Sequence, residues 1–406
     1  MNNVLLFSRR ILQIVVLGYF VLAILHFVNL PIGLGDEQLF ISDLKYIKKF
    51  GWSEAISKGI SIPYMLLVYP LSTFFEDYLS MRLINLILLT FFFVYILYRK
   101  KGNTPFSYFL FFFSTVYYFF IGTNDAVFII GIVIFLNEVN TLQKSNRWNA
   151  YLAIGALIIS TFSRELIIVY FPIVLIGIYI IYLKRGLKKN HVIYSVILCA
   201  FFFLLNVPSI NTNRKLSFDS KLPPIDVKAT WVQRQYLAQL MVNNNILSNY
   251  QHPTWKQTDE YLRINGEKSL PKNIYESIFF DFSMTIKEFF KDLFSCFYLG
   301  FRQLGLILFI PLFFFMKNII RNKQFKAEMF VPISLIIMFC IFSFIIISYV
   351  ELRWLSPFLI MMIFNYNDLE KNKLINEKVL IFNNLILIIL TFYGSFKLMN
   401  KLLLEI

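Results

Sequence analysis

Charge is what this chain has least of. Only 16% of its 406 residues are Asp, Glu, Lys or Arg, against 58% hydrophobic and 18% aromatic. Soluble domains carry about 25% charge, so a soluble globular protein is excluded. Repeated apolar runs separated by short basic links instead define a polytopic α-helical membrane protein. Cysteine is nearly as scarce. Cys199 and Cys340 lie inside apolar runs and Cys296 at the start of one, and no CxxC or Cys/His cluster occurs. That removes a disulfide framework and a zinc site. No repeat at a fixed period and no inverted pair of halves is present, which speaks against a transporter. No small-residue cleavage site follows the first apolar run, so that run reads as a retained helix rather than a signal peptide.

The formal net charge of +15 raises the question of a nucleic-acid partner. The placement of the basic residues answers it. Most lysines and arginines flank apolar runs in short loops, so the excess records topology, and nucleic acid is not a partner.

Arg9 and Arg10 precede Ile11 to Leu30, which puts the N-terminus inside and Asp36 outside. Pro31 to Ser61 mixes charge with Leu39, Phe40, Leu44, Ile47, Trp52 and Ile56 at helical spacing, the pattern of one or two interfacial helices. Pro63 to Phe75 is too short to span and reads as a juxtamembrane or re-entrant helix on the same side. Spans then follow at Met81–Leu97, Phe106–Ile121, Ala126–Leu136, Tyr151–Phe162, Leu166–Leu183 and Val192–Val207. One long hydrophilic segment, 208–296, forms an external cap subdomain that ends in an amphipathic piece, Ile274 to Phe294. It divides an N-terminal transmembrane module, 1–207 with its first outer loop at 31–80, from C-terminal transmembrane helices at 297–406. That last part holds Phe297–Met316, Met329–Val350, a short run to Tyr366, and Val379–Leu398. The expected fold is all-α with about eleven transmembrane helices.

This topology gathers four turns on the outer surface: Asp36-Glu37, Asn124-Asp125, Arg164-Glu165 and Glu351/Arg353. The two acids after the first span have no cation within a helical turn, and acids at the mouth of a membrane helix are costly unless they have a role. Together the turns offer carboxylates to take a proton and guanidinium groups to hold a phosphate. Plainer readings stand beside these. Helix-end charges facing lipid headgroups account for any single turn, and Asp125 also reads as a helix N-cap. Glu165 and Glu351 read first as local partners of Arg164 and Arg353. Arg82 and Asn85, at the start of a span, face either headgroups or the site. Trp52, Trp148 and Trp354 read as interfacial anchors, and His252 as a solvated loop residue.

The order of these motifs resembles the GT-C superfamily of integral membrane glycosyltransferases, nearest its protein-mannosyltransferase-like and aminoarabinose-transferase-like branch. Gly35-Asp36-Glu37 follows the first helix, then Gly51-Trp52, then Ser61-Ile62-Pro63-Tyr64 leading to Met81-Arg82-Leu83. Asn124-Asp125 opens the second outer loop, and Glu351-Leu352-Arg353-Trp354 precedes Pro357 late in the chain. The resemblance implies transfer of a sugar from a polyprenyl-phosphate donor to a glycan, lipid or protein acceptor. Asp36, with Glu37 beside it, is then the catalytic carboxylate and Asp125 the second acid. Arg164, Arg353 and Arg82 are then the ligands of the carrier phosphate, and Glu165, Glu351 and Asn124 support them.

The sequence establishes no cofactor. Asp36 and Asp125 serve equally as base and orienting group or as ligands of a divalent ion, Mg or Mn. Membrane lipids are the remaining partner. The richness in Ile, Phe, Asn and Lys fits an AT-rich bacterial genome, hence a multi-pass protein of a bacterial plasma membrane with its site on the external face. Two other functions remain open. A Wzy-like polymerase or O-antigen ligase would depend on loop residues such as Arg234, His252 and Arg263. A lipid-linked sugar transporter or flippase would need charges near the midplane.

Overall fold

Apolar runs with few helix breakers build nearly every element of this chain. A computed structural model describes residues 3–32, 35–100, 106–145, 147–218, 227–249, 251–322, 329–347 and 349–404. It is all-helical, with no strand among the described residues. The first half holds α1 (Asn3–Val28), α2 (Asp36–Phe50), α3 (Trp52–Lys58), α4 (Ile62–Leu71), α5 (Asp77–Lys100) and α6 (Phe106–Ser114). A 3-10 turn at Tyr117–Phe119 leads to α7 (Asp125–Ser145), α8 (Ala150–Ser163), α9 (Ile167–Leu183), α10 (Lys189–Leu205) and α11 (Val207–Asn213). The second half holds α12 (Trp231–Asn243), α13 (Trp255–Asn265), α14 (Ile274–Phe280), α15 (Phe282–Leu304), α16 (Phe309–Asn322), α17 (Phe330–Phe344), α18 (Leu352–Lys371) and α19 (Glu377–Leu404).

Among the described residues four helices, α1, α5, α7 and α19, are long and apolar enough to cross a membrane. Two bent pairs raise the number to six if each counts as one span: α10 with α11, bent by 54°, and Phe282–Ile307 with Phe309–Ile320, bent by 87°. These helices are compatible with a membrane protein. The difference from the expected eleven lies in helix continuity. The run at Phe106–Ile121 forms only the nine residues of α6 before breaking, and α8, α9 and α17 have 14, 17 and 15 residues. At 1.5 Å per residue such helices measure roughly 14 to 26 Å, short of a hydrocarbon core of about 30 Å. The amphipathic piece expected at Ile274 to Phe294 is divided differently. Most of it joins the following apolar run in one helix, α15.

The described residues fall into two units by their contacts. The first comprises Met1–Ser220, Phe301–Ser334 and Ser356–Ile406, the second Lys221–Gly300 and Leu335–Leu355.

In the first unit α1 packs on α6 and α19 through a narrow stripe, Leu5, Leu12, Val16, Tyr19 and Ala23, all buried. Phe7, Ile14, Leu17, Val21 and Leu25, off that stripe, are exposed. That pattern suits a helix with protein on one side and lipid on the other. The helix buried on every side is α7, from Asp125 through Val133. It is held at both ends. Asp125 ion-pairs with Arg164 at its start. Near its end Glu138 ion-pairs with Arg99, accepts from Tyr95 Oη at 2.9 Å and accepts from the Asn149 backbone N–H at 2.7 Å.

Gly131 lets α7 approach α8 closely. A Cβ there would lie 2.1 Å from Ser160 Oγ and 2.8 Å from the Ala156 carbonyl oxygen. The backbone contact cannot rotate away. Gly131→Ala is therefore expected to destabilise the chain by about 1–3 kcal/mol, read as a lowered unfolding temperature in detergent. An unchanged transition would show that α8 moves aside freely.

Beneath α2, α3, α4 and α5 lies one apolar cluster, with Phe40, Leu44, Ile47, Ile56, Ile62, Tyr64, Met65, Val68, Met81 and Ile84 buried together. Period-3.6 spacing on α2 (Phe40, Leu44, Ile47) turns that face inward. This fixes the start of α2 against α5.

The second unit has its own core of Ala229, Tyr236, Leu237, Leu262, Leu270 and Ile346. Its helices α12 and α13 both begin with a T-x-x-Q capping box, Thr230 with Gln233 and Thr254 with Gln257. Each threonine accepts from the third backbone N–H and each glutamine side chain accepts from the cap N–H, which satisfies two end donors per helix.

Candidate functional site

In the first unit the polar residues that the sequence singles out meet where several helices start or stop. Gly35, at φ 136°, precedes α2 and turns the chain so that Asp36 and Glu37 occupy the first helical turn. Carboxylates are favoured there by the helix dipole. Their fates diverge. Asp36 is half-buried, whereas Glu37 is buried and faces α5.

Arg82 on α5 has no exposed surface. Its Nε and Nη2 donate to the two Glu37 oxygens at 2.8 and 2.7 Å, a bidentate pair. Its Nη1 donates to the carbonyls of Val28 and Leu30, both at 2.7 Å. Three residues along the same face, Asn85 donates to the carbonyls of Ile121 and Thr123 at 2.5 and 3.0 Å. Between those two carbonyls the Gly122 N–H donates to Glu37 Oε1 at 2.8 Å. A Cβ at Gly122 would stand 2.7 Å from Met81 Cβ, so only glycine lets the loop approach. The end of α1, the start of α2, the start of α5 and the loop before α7 are thereby tied together.

That loop carries Asn124 and Asp125. Asn124 Nδ2 donates to the Ser163 carbonyl at 3.0 Å, and Ser61 Oγ donates to the same oxygen at 2.7 Å. The next residue, Arg164, leaves α8 in an extended conformation and ion-pairs with Asp125. Asp125 is buried and Arg164 half-buried. Beside them the Tyr64 hydroxyl is buried next to the Asn85 side chain.

The turns at 36–37, 124–125 and 164 therefore belong to one hydrogen-bonded network, together with Arg82 and Asn85. The geometry redistributes their expected roles. Glu37 and Arg82 neutralise each other in a buried pair, so we assign them to positioning rather than to catalysis and phosphate binding. Arg164 pairs with Asp125 on another element, while its neighbour Glu165 is exposed. The two acids offered for a divalent ion are not equivalent. The fixed positive charge of Arg164 on Asp125 opposes a metal at that carboxylate.

Arg353 and Glu351 belong to the second unit and ion-pair with each other. The loop residues of that unit are also engaged. Arg234 donates to the Pro253 carbonyl at 2.7 Å, with its guanidinium 5.0 Å from the Trp255 ring centroid. Arg263 lies beside Glu260 with Nη2 at 2.6 Å, and that guanidinium holds the Glu260 carboxyl below the usual range. A cavity of about 630 Å³ opens here, lined by Lys228, Thr230, Gln233, Lys256, Asp259 and Arg263 among others.

The sequence does not announce the Ser163 carbonyl or the Gly122 N–H, which are backbone groups, and Ser61 stands there only as part of a motif, not for the hydroxyl it donates to that carbonyl. Sequence reasoning also missed Glu288 and Asp292 on α15.

No family model matches this chain, and neither the curated proteins nor the solved structures searched contain a match.

Proposed function

We propose that the protein is a membrane glycosyltransferase that moves a sugar from a polyprenyl-phosphate donor to a glycan, lipid or protein acceptor at the outer face of the membrane. The reading carries with it the GT-C-like topology, the N-terminus inside, and a bacterial plasma membrane as location. One observation supports it most: charged turns at residues 36–37, 124–125 and 164 are joined in one network at the ends of apolar helices. Charges kept at such positions, at the edge of a bilayer, are expensive unless used.

The chemistry asks little beyond those groups. Asp36 takes the proton of the acceptor hydroxyl or amine as that atom forms its bond to the anomeric carbon. The bond from that carbon to the phosphate oxygen breaks on the opposite face, so configuration inverts. The departing lipid phosphate needs a cation more than an acid. Arg164 supplies that positive charge, and Asp125 holds the guanidinium plane in place.

The test is product analysis. Mass spectra of lipid-linked sugars and surface glycans from cells with and without the protein are expected to differ by one sugar transfer. Substrate movement in proteoliposomes without a glycosidic product would replace the proposal with a flippase. The polymerase or ligase alternative has one supporting observation, the cavity that Arg263 lines in the second unit.

A further inference from the structure

Helix α15 presents its polar side inward. Phe282, Ile286, Phe290, Phe294 and Tyr298, spaced by four, are exposed, while Thr285, Glu288, Asp292 and Cys296 on the opposite face are buried. An apolar exterior with carboxylates turned into the protein marks an ion or substrate site in membrane proteins more often than a structural one.

The two acids stand one turn apart, and both are more than nine-tenths buried, at 2% and 5% exposure. Lys291, at the rim, reaches Glu288 Oε2 at 3.0 Å. Glu288 Oε1 and Asp292 Oδ2 have no hydrogen-bond partner. Two carboxylates against one ammonium leave a buried negative charge uncompensated. Such a charge is neutralised by a proton or a cation. A proton would turn one carboxyl into a donor, which would seek an acceptor. A cation instead takes the bare oxygens of both acids at once. What remains is one bare oxygen from each acid, at the i, i+4 spacing that sets side chains about 5–6 Å apart at Cβ.

We propose that Glu288 and Asp292 bind a divalent metal ion. Oxygen donors select a hard ion, and two carboxylates with retained water are what Mg2+ accepts. Cys296, one turn on, lies 3.9 Å from Ser343 Oγ and takes no part. Among the described residues no third His, Cys, Asp or Glu completes a protein cage, so water fills the other positions and leaves them exchangeable. The inference concerns binding alone and stands or falls apart from sugar transfer.

The experiment titrates full-length, chelator-treated protein in nanodiscs with Mn2+, reading free ion by electron paramagnetic resonance. One Mn2+ per chain, displaced by Mg2+, is expected. Asp292→Asn is expected to weaken binding at least tenfold, and Glu288→Gln with Asp292→Asn to abolish it. Asp36→Asn is expected to leave it unchanged. A Mg2+-dependent rise in the unfolding temperature of the unsubstituted chain provides a readout that needs no variant. Absence of both bound Mn2+ and a Mg2+ effect in the unsubstituted chain overturns the proposal. So does binding that survives the Glu288/Asp292 double substitution, or binding lost only in the Asp36→Asn variant.

Discussion

Arg82→Met is expected to destabilise the protein by about 3–5 kcal/mol, the cost of leaving one partner of a buried ion pair without the other. Arg82 serves four acceptors at once: both Glu37 oxygens and the carbonyls of Val28 and Leu30. Its guanidinium also lies 5.3 Å from the Tyr78 ring centroid. With the side chain gone, the buried Glu37 keeps only the Gly122 N–H at 2.8 Å, too little for a full charge. Arg82→Lys keeps the charge but not the planar fork, and one ammonium cannot reach the carboxylate and two carbonyls together. It is expected to fall between native and methionine. The double replacement Glu37→Gln with Arg82→Met removes both charges and is expected to be milder than Arg82→Met alone, a coupling that a double-mutant cycle measures. Thermal unfolding in detergent reads all three. An Arg82→Met protein as stable as native would mean that the pair is hydrated and does not hold the helix ends.

The same pair shows where the sequence stopped being legible. The acids at 36 and 37 stand out because no cation lies within a helical turn of them. The cation is 45 residues away on α5, and spacing carries no information at that range. What periodicity could supply, it supplied. The amphipathic spacing of Phe40, Leu44 and Ile47 and the short proline-bearing run after Pro63 match α2 and α4. Hydropathy did less well with span number, because it measures composition and not continuity. Phe106–Ile121 is uniformly apolar yet breaks after Ser114, and the apolar run across Leu308 bends by 87°. In α15 the failure is the converse. Glu288, Lys291 and Asp292 interrupt the apolar run, so the segment reads as an amphipathic end of the external cap. The stripe Phe282, Ile286, Phe290 and Phe294 carried the signal, had it been weighed as a lipid-facing side.

Asp36→Asn is expected to lower sugar transfer by roughly 10²–10⁴-fold, the range for losing a general base, with little loss of stability. The contrast with its neighbours makes the prediction informative. Asp36 is half-buried in the first turn of α2, where the helix dipole adds about 0.3–1 kcal/mol to a carboxylate's stability. Asparagine keeps the shape and can still cap backbone donors, but it cannot accept a proton at neutral pH. The effect should fall on kcat, since the interaction is made as the acceptor loses its proton. Asp125→Asn is different in kind. Asp125 is buried against Arg164, so its loss frees an arginine inside the protein and should lower stability as well as activity, with KM for the lipid donor rising as Arg164 loses its orientation. Transfer and unfolding measured on both variants separate base from support. An Asp36→Asn protein that is stable and fully active would remove the carboxylate mechanism. It would move attention to the arginines and histidine of the second unit, where a polymerase or ligase would keep its chemistry.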